Sequence, residues 1–432
     1  MKNKTEVIVV GGGPAGIAAA VTVARAGRKV VLIERGSFSG SKNVFGGAIY
    51  VQPTKEIFPN FEQTAPLERK IVTHKYVMGT ETKSIAASYI AREEKGANAY
   101  SVTRSKFDRW MAQEAQKEGV VLVTETLVKE IIIKENKVVG VKTELEEYFA
   151  DVVILADGVN SMLAKQIGLR KEIKPKDVAL SVKEVIKLDK ETIEERFNLR
   201  EGEGAVYEIF GGPMLGMLGV GYVYTNKDTV SVGLGIGLDE IAKRKLKPYE
   251  LLEGIKGHSV FQPFIKGGEL VEYSAHLIPE GGYKKLPKLY SHGVLVAGDS
   301  AMFVNNLHWE GTNLAMVSGK FAGETAVDAL NKNDFSANTL ALYQKKLEKS
   351  FVLKDLKTYQ NVMDIVHSRA ESFLNYYPNK IADFFNMFTA VDSIPKRDKY
   401  HAFIKSIFTD RSISELFKDA FAFIKLILGV LK

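Results

Sequence analysis

Gly11-Gly12-Gly13-Pro14-Ala15-Gly16 fits G-x-G-x-x-G, a spacing that can hold a pyrophosphate against bare backbone. Gly11 permits the tight turn, Gly13 lets the chain approach the phosphates, and Gly16 lets helix and strand pack closely. Glu34 lies about eighteen residues past Gly16, where a carboxylate can accept hydrogen bonds from ribose hydroxyls, and Arg35 beside it is counted with the binding residues. Arg104 stands where it can meet a phosphate or a ribityl group. Asp157-Gly158 and Gly298-Asp299 each follow an apolar run, and Gly311-Thr312 precedes a helical pattern. The chemistry is that of binding an organic cofactor. The chain has no cysteine, which excludes a thiol nucleophile, a redox-active CxxC pair, disulfides and a Cys-ligated cluster, and its seven histidines show no metal-ligand spacing.

The elements that must carry these residues are legible around them. Val7–Val10 is a continuous β-branched run, as a buried parallel strand requires. The Ala-rich stretch Ile17–Ala26 is helical, Gly27 suits its C-cap, and Lys29–Ile33 is a second strand. The helix N-terminus offers free N–H groups and a positive dipole end to the phosphates. Ser105 is expected to N-cap a helix with Phe107, Trp110 and Met111 facing inward. Asp151–Leu155 and Gly293–Ala297 read as buried strands, and a helix is expected from about Gly311 through Ala326.

A length of 432 residues implies two or three sub-domains, and 45% hydrophobic with 26% charged residues is the composition of a folded chain, not a disordered one. The net charge of +7 suits an anionic surface or a merely Lys-rich exterior, and no basic block interleaved with aromatics points to nucleic acid. The first strand begins too early to leave room for a signal peptide, and no apolar run reaches the ~18 residues of a membrane span.

The glycine motif alone does not separate FAD from NAD. With the segments around Arg104, Asp157-Gly158 and Gly298-Asp299, the chain resembles the flavoprotein family of aromatic hydroxylases, geranylgeranyl reductases and electron-transfer flavoprotein dehydrogenases, which implies FAD. In that family the Asp of the Gly-Asp pair binds the ribityl chain, a role that falls to Asp299. No second GxGxxG marks an NAD(P)H domain. The resemblance sharpens at Gly40-Ser41-Lys42-Asn43-Val44-Phe45-Gly46-Gly47, at Tyr273–Tyr283 and at Glu310–Met316, which look like the FixC type, bacterial relatives of electron-transfer flavoprotein–quinone oxidoreductase. Lys42, Asn43, Gly46 and Gly47 thereby join the expected FAD contacts. The Gly46-Gly47 pair offers a flat surface to a ring system. Gly311-Thr312 opens a helix whose N-terminus can stabilise negative charge on a reduced flavin, and the resemblance implies a hydrogen bond from Thr312 near flavin N1.

The expected fold is α/β. A discontinuous Rossmann-like FAD domain (1–75, 100–175 and 285–330) is interrupted by a β-rich substrate or quinone domain (76–99 and 176–284) and followed by a helical region (331–432). Val206–Phe210, Gly219–Tyr224 and Thr229–Gly235 read as strands of that second sheet. The apolar, Gly-rich segment Phe210–Leu218 suits a quinone pocket, a membrane-dipping loop or a packed sheet core. Leu416, Phe417, Ala420, Phe421, Ile424, Ile427, Leu428 and Leu431 recur at helical spacing, with Lys418, Lys425 and Lys432 on the opposite face. That pattern suits an anionic bilayer or a protein contact.

The implied function is electron transfer from an electron-transfer flavoprotein heterodimer, through FAD, to a membrane quinone, at the inner face of the cell membrane. The fused quinone oxidoreductases carry a Cys-rich ferredoxin-like domain. This chain has no cysteine; FixC-type proteins also lack that domain and work beside a separate small ferredoxin-like iron–sulfur protein, so the resemblance implies one here. No acid–base residue stands out, with His276 and His308 as possible relays. Rival readings are a polyprenyl (geranylgeranyl) reductase, a flavin monooxygenase, disfavoured because Ser300-Ala301-Met302 replaces the usual His-Pro after the Gly-Asp strand, and a non-catalytic electron-relay subunit.

Overall fold

The computed structural model describes residues 4–41, 47–94, 96–214 and 216–431. Val7–Val10, wholly buried, forms the centre of a six-stranded sheet. It pairs in parallel with Val30–Ile33 on one side and Val152–Leu155 on the other. Val121–Val123 extends the first side and Val294–Val296 the second, both in parallel, and the short Tyr290–Ser291 strand closes that edge antiparallel. Successive crossovers to opposite sides of one strand open a crevice at the strands' carboxyl ends, where ligands bind in open α/β sheets. Gly11, Asp157 and Asp299 all follow those ends.

The helix Pro14–Arg25 begins with proline at its first position and is followed by Gly27 at φ +71°, so both of its limits are written locally. It packs along the longer helix Thr312–Lys332 through small residues. A Cβ on Gly319 would lie 2.0 Å from the carbonyl oxygen of Ala15, and one on Gly323 would lie 2.6 Å from that of Ala19. The helix Arg104–Lys117 buries Phe107, Trp110 and Met111 as expected. Its N-cap is Thr103 with no side-chain cap, and Ser105 lies inside the first turn, because the residue before Arg104 is the last with extended backbone.

A nine-stranded sheet faces the crevice. Its order is 269–279, 178–187, 229–237, 219–225, 203–211, 67–79, 99–102, 48–50, with 84–90 paired to 67–79. The strands expected at 206–210, 219–224 and 229–235 lie at its centre. Strands 48–50, 67–79 and 99–102 also join it, although residues 1–75 and 100–175 were expected in the cofactor domain. They follow the backbone pairing of the parallel 203–211 to 67–79 contact. One face of this sheet covers its own core of Ile193, Phe197, Tyr207, Ile209, Val232 and Leu252, and the other looks towards the first sheet. A small antiparallel meander (128–134, 137–143, 147–149) flanks the first sheet, and a run of helices from 342 to 430 completes the chain.

Candidate active site

A cavity of about 540 Å³ runs from the glycine loop to the inner face of the nine-stranded sheet. At one end stand Gly11 to Ala15, Glu34, Arg35, Asp157 and Gly158. In the middle stand Gly47, Arg104, Asp299, Gly311 and Thr312. The structure therefore gathers thirteen of the eighteen expected contacts, which lie far apart in sequence, around one cavity. Gly16 and Gly298 lie behind it: a Cβ on Gly16 would meet the Gly11 carbonyl at 1.9 Å, and one on Gly298 would meet Ala15 Cβ at 2.7 Å. Lys42, Asn43 and Gly46 lie outside the described residues.

The loop is held from within. Glu34 is buried, and its Oε2 accepts the Gly12 N–H at 2.8 Å while its Oε1 accepts the Gly36 N–H at 2.6 Å. The sequence assigned this carboxylate to a ribose; it also ties the glycine turn to the end of the second strand. Gly11 at φ +104° backs onto the Ala156 carbonyl, with no room for a side chain. By contrast, a Cβ on Gly13 would meet nothing within 4 Å, so open space lies where a pyrophosphate would approach.

Deeper in, Arg104 pairs bidentately with Asp108, Nε to Oδ1 at 2.7 Å and Nη2 to Oδ2 at 2.8 Å, and its Nη1 reaches Thr312 Oγ1 at 3.4 Å. Both partners of the ion pair are buried. Burial pushes the Asp299 carboxyl up to about 6, while Arg104 and Arg170 pull it down. Arg170, which the sequence did not single out, donates to the Val159 and Ser300 carbonyls. Burial also raises the Asp157 carboxyl, against the hydrogen bond that Ser300 Oγ donates to it at 3.0 Å. His276 sits in the same wall, and burial, with Arg104 and Arg35 nearby, pushes it down to about 4, so it is neutral at pH 7. The ring of His308 lies against Tyr359.

The far end of the cavity is aromatic. Strand 203–211 alternates: Val206, Glu208 and Phe210 face the cavity, and Tyr207 and Ile209 face the sheet's own core. Tyr50, Tyr222, Tyr224 and Trp309 complete the wall, with Trp309 5.4 Å from Phe210. Gly233 leaves room for Tyr222, whose hydroxyl would lie 2.3 Å from a Cβ there. Of the Gly-rich segment 210–218, Phe210 and Leu218 line the cavity while Met214 and Met217 fill the core. Sequence reasoning passed over Glu208, Tyr50, Tyr222, Tyr224 and Trp309. The available signal was a carboxylate inside the run Val206–Phe210, at the same parity as Val206 and Phe210.

The residues present fit FAD. Besides the open cradle at Gly13, Ser161 and Asn306 line the cavity, and their buried Oγ and Oδ1 have no hydrogen-bond partner among the described residues, as groups reserved for a polar ligand would.

Comparison with known proteins agrees along the chain. Residues 6–165 match the family described as FAD dependent oxidoreductase, residues 178–278 match ETF-QO, ubiquinone-binding, and residues 362–428 match the ETF-QO/FixC family C-terminal domain. The chain is 41% identical to Protein FixC of Bradyrhizobium diazoefficiens over 98% of its own length and 99% of that protein. It is 42% identical to Protein FixC of Escherichia coli K12, over 83% and 84% of the two. Among solved structures it resembles a geranylgeranyl bacteriochlorophyll reductase-like protein of Thermoplasma acidophilum, with TM-score 0.73, 21% identity, and coverage of 96% of this chain and 98% of that one. A flavoprotein/dehydrogenase from Cytophaga hutchinsonii matches with TM-score 0.63 at 21% identity, over 87% of each chain. At these identities the likeness concerns the fold.

Proposed function

The chain belongs to the ETF-QO/FixC family of FAD-dependent oxidoreductases, and from that premise we propose that it accepts electrons from an electron-transfer flavoprotein and delivers them to a membrane quinone. The observation that carries this reading is the continuity of the cavity. A single space joins the glycine loop and Asp299 to an aromatic face built largely by residues 178–278, the stretch that matches a ubiquinone-binding family.

Bound FAD supplies the redox chemistry; the protein supplies position, charge and exclusion of water. In this reading Gly11 to Ala15 and the first turn of the 14–25 helix hold the pyrophosphate, Glu34 and Arg35 face the ribose, and Asp299 faces the ribityl chain. The start of the 312–332 helix, with Thr312, directs N–H groups at the place where a reduced flavin carries charge. Lys42 and Asn43 are proposed as further FAD contacts, and the Gly46-Gly47 pair as the surface against the ring. Tyr222, Tyr224, Phe210 and Trp309 offer flat faces to a quinone head.

Among the described residues no helix is long and apolar enough to cross a membrane. The 413–430 helix leaves Phe417, Phe421, Ile424 and Leu428 exposed and buries Asp419 and Ala422 instead. We place this stripe, with Lys418 and Lys425, on the inner face of the cell membrane, where the quinone resides. From the FixC-type resemblance, a separate small ferredoxin-like iron–sulfur protein is the proposed companion of this cysteine-free chain.

The test is quinol formation by the purified flavoprotein supplied with its reduced electron-transfer flavoprotein and a soluble ubiquinone analogue. Quinol formed in step with donor oxidation is the expected result. Flavin reduction without quinol, together with saturation of an isoprenoid double bond, would replace this reading with a polyprenyl reductase. Flavin reduction with neither product would make the chain a relay subunit.

A further inference from the structure

Resting on the quinone reading above, we propose that Glu208 is the acid that delivers a proton to the quinone carbonyl oxygen. The residue stands at the middle of strand 203–211, on the cavity side, with Tyr222 opposite it on one neighbouring strand and Tyr76 opposite it on the other. Its Oε2 is shielded from solvent and has no hydrogen-bond partner among the described residues. A carboxyl kept for structure would satisfy that oxygen within the sheet, whereas Glu208 leaves it unpaired beside the cavity that Glu208, Asp299 and Thr312 all line.

The groups around it come from every element packed there. Tyr222 and Tyr224 belong to the 219–225 strand, His74 and Tyr76 to the 67–79 strand, and Tyr50 to the 48–50 strand. Glu310 comes from the loop before the 312–332 helix. Desolvation, with the charge of Glu208, raises the Tyr76 and Tyr224 hydroxyls. Tyr50 is raised by burial and by both Glu310 and Glu208. Burial holds His74 below its ordinary value, so its imidazole is mostly neutral at pH 7 and does not neutralise Glu208. Burial likewise pushes the Glu208 carboxyl up to about 7, its own backbone pulling slightly the other way, so the protonated acid is well populated at neutral pH. Tyr76 is 44% exposed and gives the site a neighbour that reaches water.

The step balances. Bound reduced FAD would supply the two electrons, its own proton leaving to solvent. As the C=O bond becomes C–O, an O–H bond forms at that oxygen and the Glu208 O–H breaks. The second carbonyl oxygen takes its proton from solvent water. The Glu208 carboxylate regains its own from solvent on the Tyr76 side.

The experiment compares the flavin-loaded protein with its Glu208→Gln variant, matched for flavin content and melting temperature. Infrared difference spectra of the oxidised proteins between about pH 6 and pH 8 should show, beyond the carboxyl changes of Glu280 and Asp299 that both proteins share, a C=O band that disappears in the wild type and is missing from the variant. Quinol formation from the dithionite-reduced protein and a soluble ubiquinone analogue should fall above about pH 7 in the wild type. In the variant it should be about 100-fold slower, with KM within about twofold and no inflection near pH 7. A wild type with no such infrared band overturns the assignment, whether or not the variant folds. A variant with wild-type kcat and pH profile overturns it while leaving quinone reduction in place. A wild type that makes no quinol overturns the quinone reading, and this assignment with it.

Discussion

Glu34 reaches back across the first strand pair to accept the Gly12 N–H at 2.8 Å, and its other oxygen holds Gly36 at 2.6 Å. One carboxylate thus fixes the glycine turn and the segment after the second strand together. Charge-assisted hydrogen bonds of this kind contribute about 1.5–3 kcal/mol each. Glu34→Gln keeps the shape but turns one acceptor into a donor facing an N–H. We expect FAD to bind about 10- to 100-fold more weakly, measured as flavin released on dilution.

Gly319 touches the first helix through the Ala15 carbonyl, with 2.0 Å available to a Cβ. Gly319→Ala must push the 312–332 helix away from the 14–25 helix, displacing Thr312 and the glycine loop. Overpacking costs ~1–3 kcal/mol. Thermal denaturation should show a lower midpoint, and the flavin content should fall with it.

The Arg104–Asp108 pair is buried on both sides. Removing one partner of such a pair costs about 3–5 kcal/mol, because a charge is stranded. Arg104→Met should therefore destabilise by that order in urea unfolding. Arg104→Met with Asp108→Leu should recover much of the stability and none of the flavin affinity, because the cavity would still lack the guanidinium.

Glu280 carries a stability signature with pH. Burial, with Asp239 adding to it, pushes its carboxyl up to about 7. The folded state holds this proton more tightly than the unfolded chain, whose glutamates titrate near ~4.3. The residue's effect on stability is therefore most favourable below that value, worsens as pH rises, and levels off above about 7. Glu280→Gln, which stays neutral, should melt a few degrees above the wild type at about pH 8 and alike at about pH 4, read by calorimetry.

Phe417 and Phe421 are 72% and 60% exposed on the last helix. Replacing both by Ser should leave the melting temperature nearly unchanged, since neither is in the core. Sedimentation with vesicles rich in anionic lipid should drop at least tenfold if this face meets the bilayer. Unchanged sedimentation would remove the membrane from the proposal.

The βαβ unit at the amino terminus, the apolar strands ahead of Asp157 and Asp299, and the small-residue helix after Gly311 were all readable by eye. Each depends on nearest-neighbour physics: a β-branched run that must be buried, a glycine that alone fits a turn, a proline that starts a helix. Their order in the chain, with the later family motifs, was enough to specify a flavin fold. The sequence could not say that strands 48–50, 67–79 and 99–102 pair into the second sheet, because strand pairing depends on distant partners. It could not say that the stripe of the last helix stays exposed while Asp419 is buried, accepting hydrogen bonds from Ser372, Tyr377 and Arg411. Nor could it pick Glu208 from the other glutamates. Alternation along one strand told which side it faces, but only the folded sheet decided that this side was a cavity shared with Asp299 and that none of the described neighbours would bind its Oε2. Local sequence thus determined what could hold the cofactor. Tertiary packing decided which groups meet the substrate, because burial and charge at a site are set by residues far away in the chain.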